Sequence, residues 1–285
     1  MKKIALFIAA VISAPALAWT NGDVSKNVDF AGTITPEQYS QLWKWKVGTG
    51  LNDFRHNITN MDQELKKLTI TMDSPKGLLY GATVEAMRAS AGMGAIPNIA
   101  FTDYEKTVVN LVQDTTDGEG KGHMTLPIKD EQNNKIGSLK INLTAVAKAG
   151  GPREQDPNMY KAFSVKAETS GNAFYGGLFP RSISSNSAAS TQLNKFDGVV
   201  SDWELREQVK RHPLAKNWPL TATIVNNWAS GLNFQESTNT FKHGITAASY
   251  VLGIDAGQKL EATFDSPVTA TTKWSAPLNV AVTYN

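Results

Sequence analysis

Apolar and polar residues alternate at period two through many short stretches of this chain, the pattern of strands with one buried face. The first such stretch, residues 23–35, sets Val24, Val28, Phe30, Gly32 and Ile34 on one face. Asp23, Ser25, Asn27, Asp29, Ala31, Thr33 and Thr35 take the other, and Lys26 is the one polar residue among the apolar ones. Chain ends fray unless something ties them down. An apolar-faced strand this close to a terminus therefore needs an acceptor. The acceptor is either the chain's own sheet, making this an ordinary first strand, or a neighbouring molecule that takes it by strand addition.

Further strands follow at 41–47, 67–72, 78–84 and 99–101, with weaker alternation at 108–112. Trp43, Trp45 and Val47 share a face, and paired indoles suit a sandwich core better than a sugar platform between lysines. Residues 123–128 and 136–147 read as two strands joined by a turn at 130–135. Strand rhythm returns at 247–252 and 259–264. A last strand starts near 273–276 and ends the chain with Leu278, Val280, Val282 and Tyr284 on one face. Between about 149 and 241 the rhythm weakens. There, 158–167 reads as a short helix with Met159, Phe163 and Ala167 on one side. Asp202 reads as the N-cap of a helix over 203–210, and Ser201 to Glu204 resembles a capping box. Pro213 and Pro219 bound a kinked segment carrying Trp218. The whole predicts an all-β sandwich with an inserted, helix-bearing block.

Residues 1–18 change the picture of where this fold works. Lys2 and Lys3, a short apolar run and Ala16-Leu17-Ala18 form a secretory leader, with cleavage expected between Ala18 and Trp19. Removing the two leader lysines brings 28 basic residues down to 26, equal to the acidic ones. Nothing in that balance favours nucleic acid. There are no cysteines, so the exported domain relies on packing and strand pairing, and thiol chemistry is excluded.

Candidate chemistry is sparse. The histidines at 56, 123, 212 and 243 form no metal-ligand spacing, and no nucleophile elbow or phosphate-binding loop is present. No catalytic residue, metal site or cofactor is expected. A secreted carbohydrate-active enzyme would need two convergent carboxylates, and no spacing pairs any. The inserted block concentrates aromatics amid amides and charges, among them Trp203 and Trp218. An aromatic face under a sugar, with polar groups on its hydroxyls, is how carbohydrate is held. The same aromatics would equally serve the block's own core.

Longer stretches carry a resemblance. Residues 19–35, 43–52 (Trp-Lys-Trp-Lys-Val-Gly-Thr-Gly-Leu-Asn), 99–105, 174–178 (Phe-Tyr-Gly-Gly-Leu) and 274–284 resemble the FaeG-type major fimbrial subunits of enterobacterial chaperone–usher fimbriae. The likeness spans nearly the whole chain and is weakest at 150–241 outside 174–178. It implies an incomplete immunoglobulin-like sandwich, residues 36–285, completed by donor-strand exchange and carrying an adhesive insertion at about 149–241. Residues 19–35 would be the donor extension, filling the groove of the next identical subunit, with Gly32 where the groove is too shallow for a side chain. Val280, Val282 and Tyr284 would form the chaperone-facing terminal strand. The implied partners are identical subunits, a periplasmic chaperone, an outer-membrane usher and host glycans containing galactose; the implied location is the fimbria at the cell surface. The family's receptor contacts fall near residues 163–172 here, which makes Phe163, Lys166, Glu168 and Asn172 carbohydrate-binding candidates beside Trp203 and Trp218. A non-adhesive shaft subunit is the alternative on the same fold.

Overall fold

The computed structural model describes residues 42–88, 95–153, 156–215, 232–233 and 244–284. The leader, the alternating segment at 23–35 and Trp218 lie outside the described residues.

The first strands are β1 (Trp43–Val47), β2 (Lys67–Thr71), β3 (Lys76–Thr83) and β4 (Met87–Arg88). Next come β5 (Pro97–Thr102), β6 (Val108–Val109), β7 (Lys121–Lys129), β8 (Lys135–Arg153) and β9 (Asp156–Lys166). Two helices follow, α1 (Asn186–Leu193) and α2 (Asp202–Arg211). The chain closes with β10 (Leu232–Asn233), β11 (Ile245–Ile254), β12 (Lys259–Phe264) and β13 (Asn279–Tyr284).

The larger sheet runs β1-β3-β11-β8-β12-β2, with β7 and β9 also paired to β8; the smaller runs β13-β5-β6. Clean alternation puts Leu68 and Ile70 of β2 and Leu260, Ala262 and Phe264 of β12 inside, with their neighbours outside or half out. These side chains meet Ile99, Phe101 and Val109 of the smaller sheet in one continuous core. The arrangement is an all-β, immunoglobulin-like fold with small helices.

The hairpin from β7 to β8 turns on Asp130. Its Oδ1 accepts from the backbone N–H groups of Gln132 and Asn134 at 2.9 and 2.8 Å, and Asn133 takes φ 66°, a conformation that asparagine tolerates.

β8 explains why the strand rhythm fades after Leu143. Its first half pairs with β7 and β12 as an ordinary sandwich strand. Its second half pairs with β11 and β9 and is covered on both faces. Ala145, Ala147 and Ala149 face the sandwich core, whereas Val146 faces α1 and the loop after it. A strand buried on both sides has no reason to alternate. The same burial accounts for β9. The stretch expected as a helix at 158–167 is strand up to Lys166: Phe163 and Val165 point to the core and Tyr160 and Ala162 toward α2. β11 is buried at every position.

The N-cap of α2 is Ser201, not Asp202. The Ser201 hydroxyl accepts from the Glu204 N–H, and Glu204 Oε2 accepts from the Ser201 N–H at 3.0 Å. α2 docks on the sheet through Gln208, whose Nε2 donates to the Thr83 carbonyl at 2.9 Å while its Oε1 accepts from the Thr83 hydroxyl at 2.6 Å. The last strand begins at Asn279. Residues 273–276, expected to start it, contribute only a bridge between Ser275 and Lys129.

Candidate functional site

Among the described residues β13 is a strand with one partner. It pairs antiparallel with β5 from Asn279 opposite Thr102 to Tyr284 opposite Pro97, and among the described residues no strand pairs its other edge. Its alternate residues Val280, Val282 and Tyr284 turn toward the core yet are only half buried. It is tied to β1 of the larger sheet, where the Trp45 indole N–H donates to the Tyr284 hydroxyl at 2.8 Å. Trp43 is buried and donates to the Ala95 carbonyl at 2.7 Å, Trp45 is half buried, and Val47, at the end of β1, is 67% exposed. An exposed edge with apolar side chains beside it presents unpaired backbone groups that another strand can satisfy.

The 174–178 stretch fixes the sandwich on the side of β5 opposite β13, where the Ile99 N–H donates to the Tyr175 carbonyl at 2.8 Å. Phe174, at φ 67° and fully buried, stacks on Tyr250 with centroids 4.9 Å apart and meets Trp43 edge-on at 5.4 Å. The Tyr250 hydroxyl donates to the Gly177 carbonyl at 2.8 Å. Gly176 sits at φ 80°, and a β-carbon there would overlap the Ile99 carbonyl oxygen. This stretch is a packing clamp that touches Trp43 and Tyr250 of the larger sheet and Ile99 of the smaller.

The expected sugar contacts separate into different environments. Phe163 is 1% exposed in the core, so its ring offers no face to a ligand. Asn172 is also fully buried and organises a turn, its Oδ1 accepting from the N–H groups of Glu168 and Thr169 at 2.8 and 2.9 Å. Lys166 and Glu168 pair with each other at 2.9 Å on the surface beside that turn. Trp203 stands 68% exposed on α2, a different element.

Sequence spacing missed a cavity of about 290 Å³ between α1, α2 and the outer face of β8 and β9. Lys148 lies 1% exposed on its floor, and its Nζ donates to both carboxylate oxygens of Asp202 at 2.6 Å and to the Ser190 hydroxyl. Burial pushes the Lys148 ammonium below its ordinary value, and the Asp202 carboxylate partly opposes that shift. Tyr160 is held neutral, burial pushing its phenol far above the usual range, and the Arg206 guanidinium lies over its ring at 5.6 Å. Asn186, 8% exposed, also lines the cavity, and its Oδ1 has no hydrogen-bond partner. The signal that could have revealed this place was a lysine inside the apolar run Ala145–Ala149, since a buried ammonium demands a carboxylate.

Folding also gathers Asp114, Asp117 and His123, whose ligand atoms fall within 4.8 Å of one another, although their sequence positions follow no metal-binding spacing. The loop already faces a cation: the Arg181 guanidinium donates to the carbonyls of Asp114, Thr115 and Asp117.

Comparison with known proteins defines the class first. The family described as "Fimbrial, major and minor subunit" matches residues 1–285, the full chain. The chain is 39% identical over 298 residues to K88 fimbrial protein AB of Escherichia coli and 38% identical over 295 residues to K88 fimbrial protein AC, with all of each chain covered. F41 fimbrial protein of the same organism is 24% identical over 295 residues, again across both full lengths. The protein therefore belongs to this family of fimbrial subunits, which is not a family of enzymes, and its place is the fimbria at the cell surface. Among the described residues no helix is long and apolar enough to cross a membrane.

Proposed function

We propose that this fimbrial subunit polymerises by donor-strand exchange and that its inserted block attaches the fibre to galactose-containing host glycans. The observation that carries the assembly half is the edge of β13 that no strand pairs among the described residues, with Val280, Val282 and Tyr284 half buried beside it. The alternating segment at 23–35 has the complementary character, with Val24, Val28, Phe30 and Ile34 to bury and Gly32 for a narrow place. Full burial of such side chains stabilises by roughly 1.5–3 kcal/mol each. Strand addition also satisfies the backbone of both edges. Before assembly the same edge calls for a covering partner, the role of a periplasmic chaperone, with an outer-membrane usher joining the subunits.

Deleting residues 23–34 tests this. Truncated subunits should accumulate folded with the chaperone and form no fibres; long fibres from truncated subunits would contradict it. The adhesive half leans on Trp203, exposed on α2, and on the surface pair Lys166–Glu168. The burial of Phe163 and Asn172 favours the alternative of a shaft subunit without receptor contacts. A glycan array probed with intact fimbriae separates the two: binding to terminal galactosides supports adhesion, and binding to no glycan supports the shaft.

A further inference from the structure

A strand shared between two copies limits how far apart their bodies can lie, and the chain's geometry says which ends meet. We infer, on the strand-addition reading, that successive subunits also touch body to body: the end of one subunit that bears Val84 and Leu214 docks on the 103–108 turn of the next copy along the fibre.

The length of the link carries this. The alternating segment ends at Thr35, and six residues, 36–41, separate it from Leu42. From Leu42 onward the body holds the chain: the Leu42 carbonyl accepts from the Val84 N–H at 2.8 Å, and Trp43 is buried. Such a link reaches about 25 Å at most. That is little more than the length of a six-residue strand such as β5, about 20 Å. A copy whose segment fills its neighbour's edge therefore has its Leu42, with Val84 beside it, drawn up against the neighbour's body.

The exit point is apolar on the outside. Val84, just past β3, is 49% exposed, and Leu214, after α2, is 44% exposed. They share one end of the body. Gln208 docks α2 on Thr83, and His212, two residues before Leu214, lies close enough to Glu85 to feel its charge.

Strand direction picks out the receiving end. The smaller sheet is antiparallel throughout. A strand added to β13 in the same sense, the slightly more stable one, runs from Tyr284 back toward Asn279. Thr35 then emerges where Asn279 faces Thr102, beside the turn at 103–107. That turn is preformed. Asp103 Oδ1 accepts from the N–H groups of Glu105 and Thr107 at 2.8 and 2.9 Å, and the Asn279 side-chain amide donates to the Asp103 carbonyl at 2.9 Å. Val108, paired with Thr102, stands 67% exposed next to it. Each end sets exposed charges of both signs beside its apolar residues, Glu85 and Arg211 on one and Glu105 and Lys106 on the other, so unlike charges can face across the contact. A contact this small would not hold two free subunits together, but the shared strand keeps the two ends at high effective concentration.

The test uses cysteine pairs in intact fimbriae, since the chain has no native cysteine. Subunits carrying both Val84→Cys and Val108→Cys, at exposed positions, are treated with a short bismaleimide and run on denaturing gels. A ladder of covalent multimers is expected, with none from either single variant. Val108→Glu should leave the fold of the chaperone-bound subunit unchanged and lower the denaturant concentration at which fibres come apart; fibres of unchanged resistance would overturn the inference. No ladder from Val84 and Val108 in fibres whose 23–35 segment does cross-link to the neighbour's Val282 would overturn it and leave strand addition standing. Loss of both cross-links would overturn both. A ladder from Val84→Cys with Thr283→Cys in place of Val108→Cys would overturn the assigned end.

Discussion

The Trp45 indole N–H and the Tyr284 hydroxyl lie 2.8 Å apart although 239 residues separate them in the chain. The bond joins β1, an edge of the larger sheet, to β13, an edge of the smaller. Tyr284→Phe keeps the ring and leaves the half-buried indole without its acceptor, at a cost of about 1 kcal/mol. A lower denaturant midpoint with an unchanged slope is expected, and an unchanged midpoint would show that water replaces the hydroxyl freely.

The buried ion pair should respond asymmetrically. Asp202→Ala strands the Lys148 ammonium, 1% exposed, without a counter-charge and should cost about 3–5 kcal/mol. Lys148→Met strands a carboxylate that water already reaches and should cost clearly less. Chemical denaturation of the two variants gives the order directly; equal losses would mean that the cavity rather than the charge sets the energetics.

Gly176→Ala tests the clamp at 174–178. The substitution imposes a left-handed backbone on alanine and pushes a methyl group into the Ile99 carbonyl. Strained backbone alone costs about 1–3 kcal/mol. Thermal unfolding should fall by several degrees, and Tyr175→Ala, at a half-exposed ring, should fall by less.

Alkaline pH should loosen the fold through its tyrosines. Burial raises the phenols of Tyr160, Tyr250 and Tyr284 above the ordinary value of 10.0, with the indole donation from Trp45 drawing Tyr284 back in part. A folded-state value above the unfolded one means that the folded chain holds protons the unfolded chain releases. Stability contributed this way is intact below about pH 10 and is lost as pH rises beyond it. Denaturant midpoints across neutral and alkaline pH should stay level and then drop, together with tyrosinate absorbance; a decline beginning near neutrality would contradict this origin.

The two-sided sandwich was legible wherever one face of a strand meets water. β2 and β12 emerge from alternation alone, since Leu68 and Ile70, or Leu260, Ala262 and Phe264, mark the inward face. Legibility ended where both faces are covered. The second half of β8 and residues 160–165 of β9 lost their alternation to the core on one side and the helices on the other, so a strand read as a helix. α1 hid for another reason: its buried residues are Asn186, Ala189, Gln192 and Leu193, which make no apolar stripe. The cavity was hidden because Lys148 and Asp202 meet only across a separation of 54 positions in the chain. Trp45 and Tyr284 were each assigned to inward faces from their spacing, but nothing local could tell that they touch.

The most direct test of the account uses the absence of native cysteines. Cysteines are introduced singly at Val24, Val28, Phe30 or Ile34, each combined with Val282→Cys, and the fimbriae are oxidised and run on denaturing gels without reductant. Strand addition between neighbours predicts a ladder of covalent multimers for at least one pairing and none for the single-cysteine controls. Cross-links confined to monomers, with the 23–35 segment bonded to its own β13, would contradict it.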